Sequence, residues 1–148
     1  SRGAIERGLA HVQLPGRVQR IPAASGFEWV FDVAHNPAAA AVLAANLARH
    51  RARGRTLAVC GMLSDKDVPA VLASLQGSVD LWFAATTEGP RGLSDADLAA
   101  HASRLGIAMT LGGTVPDAMR AAARAARPGD RVVVFGSFHT VGPALSCV

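Results

Sequence analysis

Three short strings in this 148-residue sequence carry residue types that can do chemistry together. Asp32-Val33-Ala34-His35-Asn36-Pro37 offers a carboxylate, an imidazole and a carboxamide in close succession. Gly61-Met62-Leu63-Ser64-Asp65-Lys66-Asp67 sets the only lysine of the chain between two carboxylates. Gly136-Ser137-Phe138-His139-Thr140 joins a glycine, which lets backbone approach a ligand, to hydroxyls and a second imidazole. Each string follows or ends an apolar run, which places all three at the carboxyl ends of strands, where open parallel sheets bind ligands. A carboxylate in an apolar strand is costly unless it is partnered or faces a solvated cleft, so Asp32 either caps a neighbouring loop or meets a ligand. His35 has the same two readings, a structural hydrogen bond or acid–base work. Asn36 needs no role beyond capping, and a Gly-Ser turn such as Gly136-Ser137 is common punctuation at a strand end. Helices starting at Pro37 and after Gly136 aim unpaired amides at the same rim, which makes anions the natural ligands.

The elements that position these strings are legible in outline. Trp29 to Ala34, Thr56 to Cys60, Val79 to Ala84 and Val132 to Phe135 are continuous apolar runs, the pattern of strands covered on both faces. Helical patterns lie between them. From Pro37 to Arg53, Val42, Leu43 and Leu47 share one face, and Val115, Met119, Ala122 and Ala126 do so farther along. Asn36-Pro37 is a helix start, with Asn as N-cap and Pro at the first helical position. Ser64, Ser94 and Thr114, followed three residues later by Asp67, Asp97 and Asp117, have capping-box spacing. Ile107 to Leu111 reads as a short edge strand, and Val18 to Ile21 as a strand pairing antiparallel with Trp29 to Val33 across Ala23 to Gly26. The expectation is an α/β fold: a Rossmann-like three-layer α/β/α sandwich on a mostly parallel sheet of about six strands with one antiparallel edge strand.

Composition agrees with one folded domain. With 50% hydrophobic, 18% charged and 5% aromatic residues, the chain is long enough to bury about two thirds of its unfolded surface. Disorder, collagen and coiled coil are excluded. The stretch Val132 to Val148 lacks charge, but Gly136, Ser137, His139, Thr140, Gly142 and Pro143 interrupt it, so no membrane span is expected. No basic segment followed by an apolar run opens the chain, and the cytoplasm is the expected compartment. Cys60 and Cys147 form no metal or redox pair and are expected as reduced packing residues. The net charge of +4 does not imply nucleic acid, because no aromatics interleave with the cations and the cluster Arg49, Arg51, Arg53 and Arg55 falls at a helix end.

Several signatures are missing. The sequence holds no G-x-x-x-x-G-K-[ST] phosphate loop, no G-x-G-x-x-G fingerprint, no H-E-x-x-H or paired-cysteine zinc spacing and no G-x-S-x-G elbow.

Five strings in order, Leu14-Pro15-Gly16-Arg17, Asp32 to Pro37, Gly61 to Asp67, Glu88-Gly89-Pro90-Arg91 and Gly136 to Thr140, closely resemble the C-terminal domain of the bacterial folylpolyglutamate synthase/dihydrofolate synthase family, within the Mur ligase superfamily. The resemblance spans nearly the whole chain. It implies that residues 1–13, with Ile5 to Val12, end a central-domain helix and linker, that 14–148 form the glutamate-ligase domain, and that the central ATPase domain lies upstream of this chain. Such enzymes use ATP and magnesium to phosphorylate the carboxylate of dihydropteroate or a folate, and the amine of L-glutamate attacks the acyl phosphate. The P-loop, the magnesium ligands and a carboxylated lysine belong to the central domain, so no metal site is expected here. By the same resemblance Arg17 and Asp32 contact ATP, His35 and Ser137 sit near the incoming glutamate and transferred phosphoryl group, and Asn36 and His139 line the cleft. The implied partners are these small molecules and the intramolecular ATPase domain, with no nucleic acid and no membrane, in a monomer. Two other readings stay open: an autonomous Rossmann-like module binding an anionic metabolite, and a Mur-type ligase for another amino acid.

Overall fold

Alternation along the buried strands decides which helices cover which face of the sheet. The computed structural model describes residues 17–148, so the expected helix at Ile5 to Val12 and the Leu14-Pro15-Gly16 part of the first string lie outside the described residues. The elements run β1 (Gln19–Pro22), β2 (Glu28–Asp32), α1 (Pro37–Arg49), β3 (Thr56–Cys60), α2 (Val68–Leu75), a 3-10 turn (Gln76–Ser78), β4 (Leu81–Thr86), α3 (Asp95–Ser103), β5 (Met109–Thr114), α4 (Val115–Ala125), β6 (Arg131–Phe135) and α5 (Phe138–Leu145). They build one six-stranded sheet in the order β1-β2-β6-β3-β4-β5. β1 is antiparallel to β2, with Ile21 opposite Trp29, and every other pair is parallel.

Successive strand residues point to opposite faces. Val30, Ala58, Cys60, Trp82, Ala84, Val133 and Phe135 pack with Leu43 and Leu47 of α1, Val71 and Leu72 of α2 and Leu98 of α3. Their neighbours Phe31, Leu57, Val59, Phe83, Val132 and Val134 pack with Val115, Met119 and Ala122 of α4 and Val141 and Ala144 of α5. This is the expected three-layer sandwich, and its antiparallel edge strand is β1.

The helix starts follow their caps, with one correction. Asn36, Ser94 and Thr114 accept from the amides of Ala39, Asp97 and Asp117. Ser64 does not cap: α2 starts three residues later, on Asp67, whose carboxylate accepts from the Ala70 amide. The reason is Pro69, which fits the first turn after Asp67 but would sit inside a helix begun at Ser64, clashing with the carbonyl four residues back.

Other boundaries and burials also shift. α1 stops at Arg49, short of Arg53, and Ala40, Leu43 and Leu47 form its buried row while Val42 is exposed. β4 begins at Leu81 rather than Val79, and β5 covers Met109–Thr114 rather than Ile107 to Leu111. Cys60 is buried in the core, where burial pushes its thiol pKa up, but Cys147 is exposed. Among the described residues no helix is long and apolar enough to cross a membrane.

Candidate functional site

Register places the three strings on one rim. Asp32 of β2 is level with Phe135 of β6, and Phe135 is level with Cys60 of β3. The chain therefore leaves all three strands at the same height, into His35-Asn36, Gly136-Ser137 and Gly61-Met62.

At the first strand end, Arg17, Asp32, His35 and Asn36 line one cleft of about 370 Å³, walled by Ala39 and the exposed Val42. Asp32 is half-buried, and its two oxygens hold backbone on either side: Oδ1 accepts from the Ala34 amide at 2.8 Å and Oδ2 from the Val18 amide at 3.1 Å. Burial pushes the Asp32 carboxyl above its ordinary value, and the two amides and the nearby Arg17 guanidinium reduce that rise without cancelling it. Asp32 thus does cap backbone, as one reading had it. A carboxylate has about four lone-pair sites, so two remain for a ligand. His35 Nδ1 is 2.9 Å from the Val33 carbonyl, which leaves Nε2 as its other ring nitrogen for a ligand.

Ser137 and His139 belong to the neighbouring strand end and do not line this cleft. His139 is exposed in the first turn of α5. Ser137 is buried and is the N-cap of α5, but its side chain makes no capping bond; Oγ lies 3.2 Å from Thr140 Oγ1. Thr140 also reaches Thr87 Oγ1 at 3.1 Å and the Gly61 carbonyl at 2.9 Å. The sequence reading did not assign Thr87 or Thr140 to the site. Thr140 stood inside the last string, whereas Thr87 was marked only by its place before Glu88.

The loop after β3 lies against the loop after β4. Leu63 pairs with Gly92, Ser64 N–H donates to Arg91 O, and Arg91 Nη1 meets Asp65 Oδ2 at 3.1 Å with both side chains exposed. Asp65 is therefore engaged with Arg91 rather than aimed into the cleft, and Lys66 forms no ion pair with described residues. Larger hollows, of about 460 Å³ beside Asp80 and Ile107 and about 710 Å³ beside Glu28 and Arg131, open near the starts of β4, β2 and β6. The strand-end cleft is smaller than either; its place at the carboxyl end of β2, where open parallel sheets bind ligands, sets it apart.

Comparison with known proteins agrees with this fold. The family model for the Mur ligase, glutamate ligase domain, matches residues 16–138. The chain belongs to this Mur ligase domain family. Its relatives include the dihydrofolate synthase/folylpolyglutamate synthase of Escherichia coli K12, 41% identical over all of this chain and 34% of the relative. A structure of Escherichia coli FolC in complex with DHPP and ADP superposes with a TM-score of 0.89, at 42% identity, over 99% of this chain and 34% of that one. The bifunctional Yersinia pestis enzyme complexed with AMPPNP and Mn ion matches with a TM-score of 0.88, again at 42% identity over 99% and 34% of the chains. The chain thus spans about a third of the length of these Mur ligase relatives. Nucleotide and metal ion are bound by those relatives.

Proposed function

We propose that this chain is the C-terminal domain of an ATP-dependent ligase that joins L-glutamate to the carboxylate of dihydropteroate, of a folate, or of both. ATP phosphorylates the acceptor carboxylate, the glutamate amine displaces phosphate from the acyl phosphate, and the products are an amide, ADP and phosphate. Residues 14–148 form the glutamate-ligase domain, and a central ATPase domain preceding them supplies the phosphate loop. The ligase works in the cytoplasm, as a monomer.

The observation that carries the reading is the convergence of Arg17, Asp32, His35 and Asn36 on one strand-end cleft. Nucleotide suits that cleft: a permanently charged guanidinium can grip phosphate oxygens, and the free lone pairs of Asp32 can accept from ribose hydroxyls. The resemblance to the folate ligase family puts the magnesium ligands upstream of this rim. We assign the metal to the central domain, where it neutralises phosphate charge. His35 and Ser137 act near the incoming glutamate and the transferred phosphoryl group, and Asn36 and His139 line the space around it. Closure of this domain over the nucleotide excludes water that would hydrolyse the acyl phosphate.

The test is ADP release by the full-length protein with ATP, magnesium and L-glutamate, comparing dihydropteroate with tetrahydrofolate and omitting each component in turn. Release that needs glutamate and an acceptor is expected. Release with a different amino acid and acceptor would point to another Mur-type ligase, and none at all to a binding module.

A further inference from the structure

Three hydroxyls meet where β3, β4 and β6 end. Thr140 Oγ1 lies 2.9 Å from the Gly61 carbonyl, 3.1 Å from Thr87 Oγ1 and 3.2 Å from Ser137 Oγ. All three side chains are buried. The cluster depends on glycine at position 61, since a Cβ there would fall 2.7 Å from both threonine oxygens.

Proton counting gives the cluster a direction. A hydroxyl has one proton and two lone pairs. The Gly61 carbonyl can only accept, so Thr140 donates its proton there. Its lone pairs then accept from Thr87 and from Ser137, which accounts for all three contacts. Ser137 therefore directs its proton inward, and its own lone pairs have no partner among the described residues. Nor does Ser137 hold the helix amides, as an N-cap serine usually does.

We infer that Thr140, backed by Thr87, is a positioning residue that fixes Ser137 Oγ as a hydrogen-bond acceptor, so that Ser137 recognises the amino group of the amino-acid substrate rather than a carboxylate or phosphoryl oxygen. The inference rests on the ligase reading above and settles which substrate group Ser137 meets. Donors for anionic oxygens come instead from the free amides in the first turn of α5.

The experiment compares L-glutamate with glutarate, which keeps both carboxylates and lacks the amino group, in the full-length ligase. Ser137→Ala and Thr140→Val are expected to raise the KM for L-glutamate about tenfold, the loss of one hydrogen bond to a charged group. The Ki of glutarate as a competitive inhibitor stays within about twofold of the parent value. Thr140→Ser, which keeps the hydroxyl, restores the glutamate KM. A glutarate Ki that rises in parallel, or a Thr140→Val protein that melts earlier with unchanged glutamate KM, overturns the inference. If Thr140→Val does not fold, the Ser137→Ala comparison alone decides. Absence of glutamate-dependent ADP release from the unsubstituted protein would instead overturn the ligase reading, and the inference with it.

Discussion

The Val18 amide donates to Asp32 Oδ2 at 3.1 Å from a left-handed backbone, φ 45°, that a β-branched residue adopts only where its surroundings hold it. Such a conformation costs about 1–3 kcal/mol. Asp32 helps hold it, and so fixes where the chain passes Arg17 into β1. A half-buried carboxylate thus sets the approach of the guanidinium beside it.

Asp32→Asn separates the structural from the functional role of this carboxylate. The amide keeps an acceptor for one of the two backbone donors and removes a charge that burial disfavours. Because burial raises the folded pKa, ionisation penalises the fold. The penalty is absent below the ordinary value of 3.8 and complete once pH exceeds the folded pKa. Thermal melts should therefore show the Asn variant gaining on the parent chain as pH rises from below 3.8 through the raised folded pKa. In the full-length ligase the same substitution should raise the KM for ATP. A large loss of stability with normal ATP kinetics would leave Asp32 a capping residue only.

Arg17 is exposed, and its effect should be confined to ligand. Arg17→Ala in the full-length ligase is expected to lower kcat/KM for ATP about tenfold or more, the scale of one charge-assisted contact, with an unchanged melting temperature. Arg17→Lys should recover only part of this, because an ammonium cannot form the bidentate fork. Steady-state ATP kinetics of both variants at two salt concentrations check it, and unaltered ATP kinetics would remove Arg17 from the site.

At the other end of the sheet the buried Arg131 closes α1. Its Nη2 donates to Leu47 O at 2.9 Å, Nη1 to His50 O, and Nε to Thr56 Oγ1 at 2.8 Å. The Leu47 and His50 carbonyls are ones that the C-terminal end of α1 leaves unpaired. Arg131→Ala should destabilise the chain by about 3–5 kcal/mol, measured by urea unfolding, because several buried acceptors lose their donor together.

Asp130 contributes to the acid limb of stability. Burial raises its pKa, but the amides of Arg127 and Arg55 and the Arg55 guanidinium outweigh that and hold the carboxyl below its ordinary value. A lowered folded pKa contributes stability that is complete above the unfolded value of 3.8 and is lost as pH falls through the folded pKa. Asp130→Asn should therefore be less stable than the parent near neutrality and lose less of its stability on acidification, read by chemical denaturation at stepped pH.

How far the sequence could be read depended on whether the signal was local. Asn36-Pro37 announces its helix because cap and first turn are adjacent, and the Val132 to Phe135 run announces a central strand because both its faces are apolar. Asp32 was conspicuous as a charge in such a run. Ser64 misled because a capping spacing was weighed without Pro69, five residues on. Val42 misled because its neighbour Leu43 faces the core, and adjacent helical residues lie about 100° apart. The Thr87, Thr140 and Gly61 cluster was illegible for a physical reason. Its members leave three different strands and meet only once β3 lies between β4 and β6.

Gly136 offers a sharp test of how tightly that rim is built. Its φ is +129°, and a Cβ there would lie 1.9 Å from the Gly61 carbonyl oxygen and 3.1 Å from Met62 Sδ. Gly61 O is also the acceptor that orients Thr140, so any shift that admits a methyl group at 136 displaces the hydroxyl cluster. Gly142, in α5, has nothing within 4 Å of the equivalent point. Gly142→Ala should be neutral or stabilising by up to about 1 kcal/mol through helix propensity. Gly136→Ala should cost about 3 kcal/mol or more, since backbone strain and a backbone clash act together. Melting temperatures of the two variants, measured side by side, discriminate a rim set by close backbone approach from one where Gly136 is mere punctuation; equal values would favour the second.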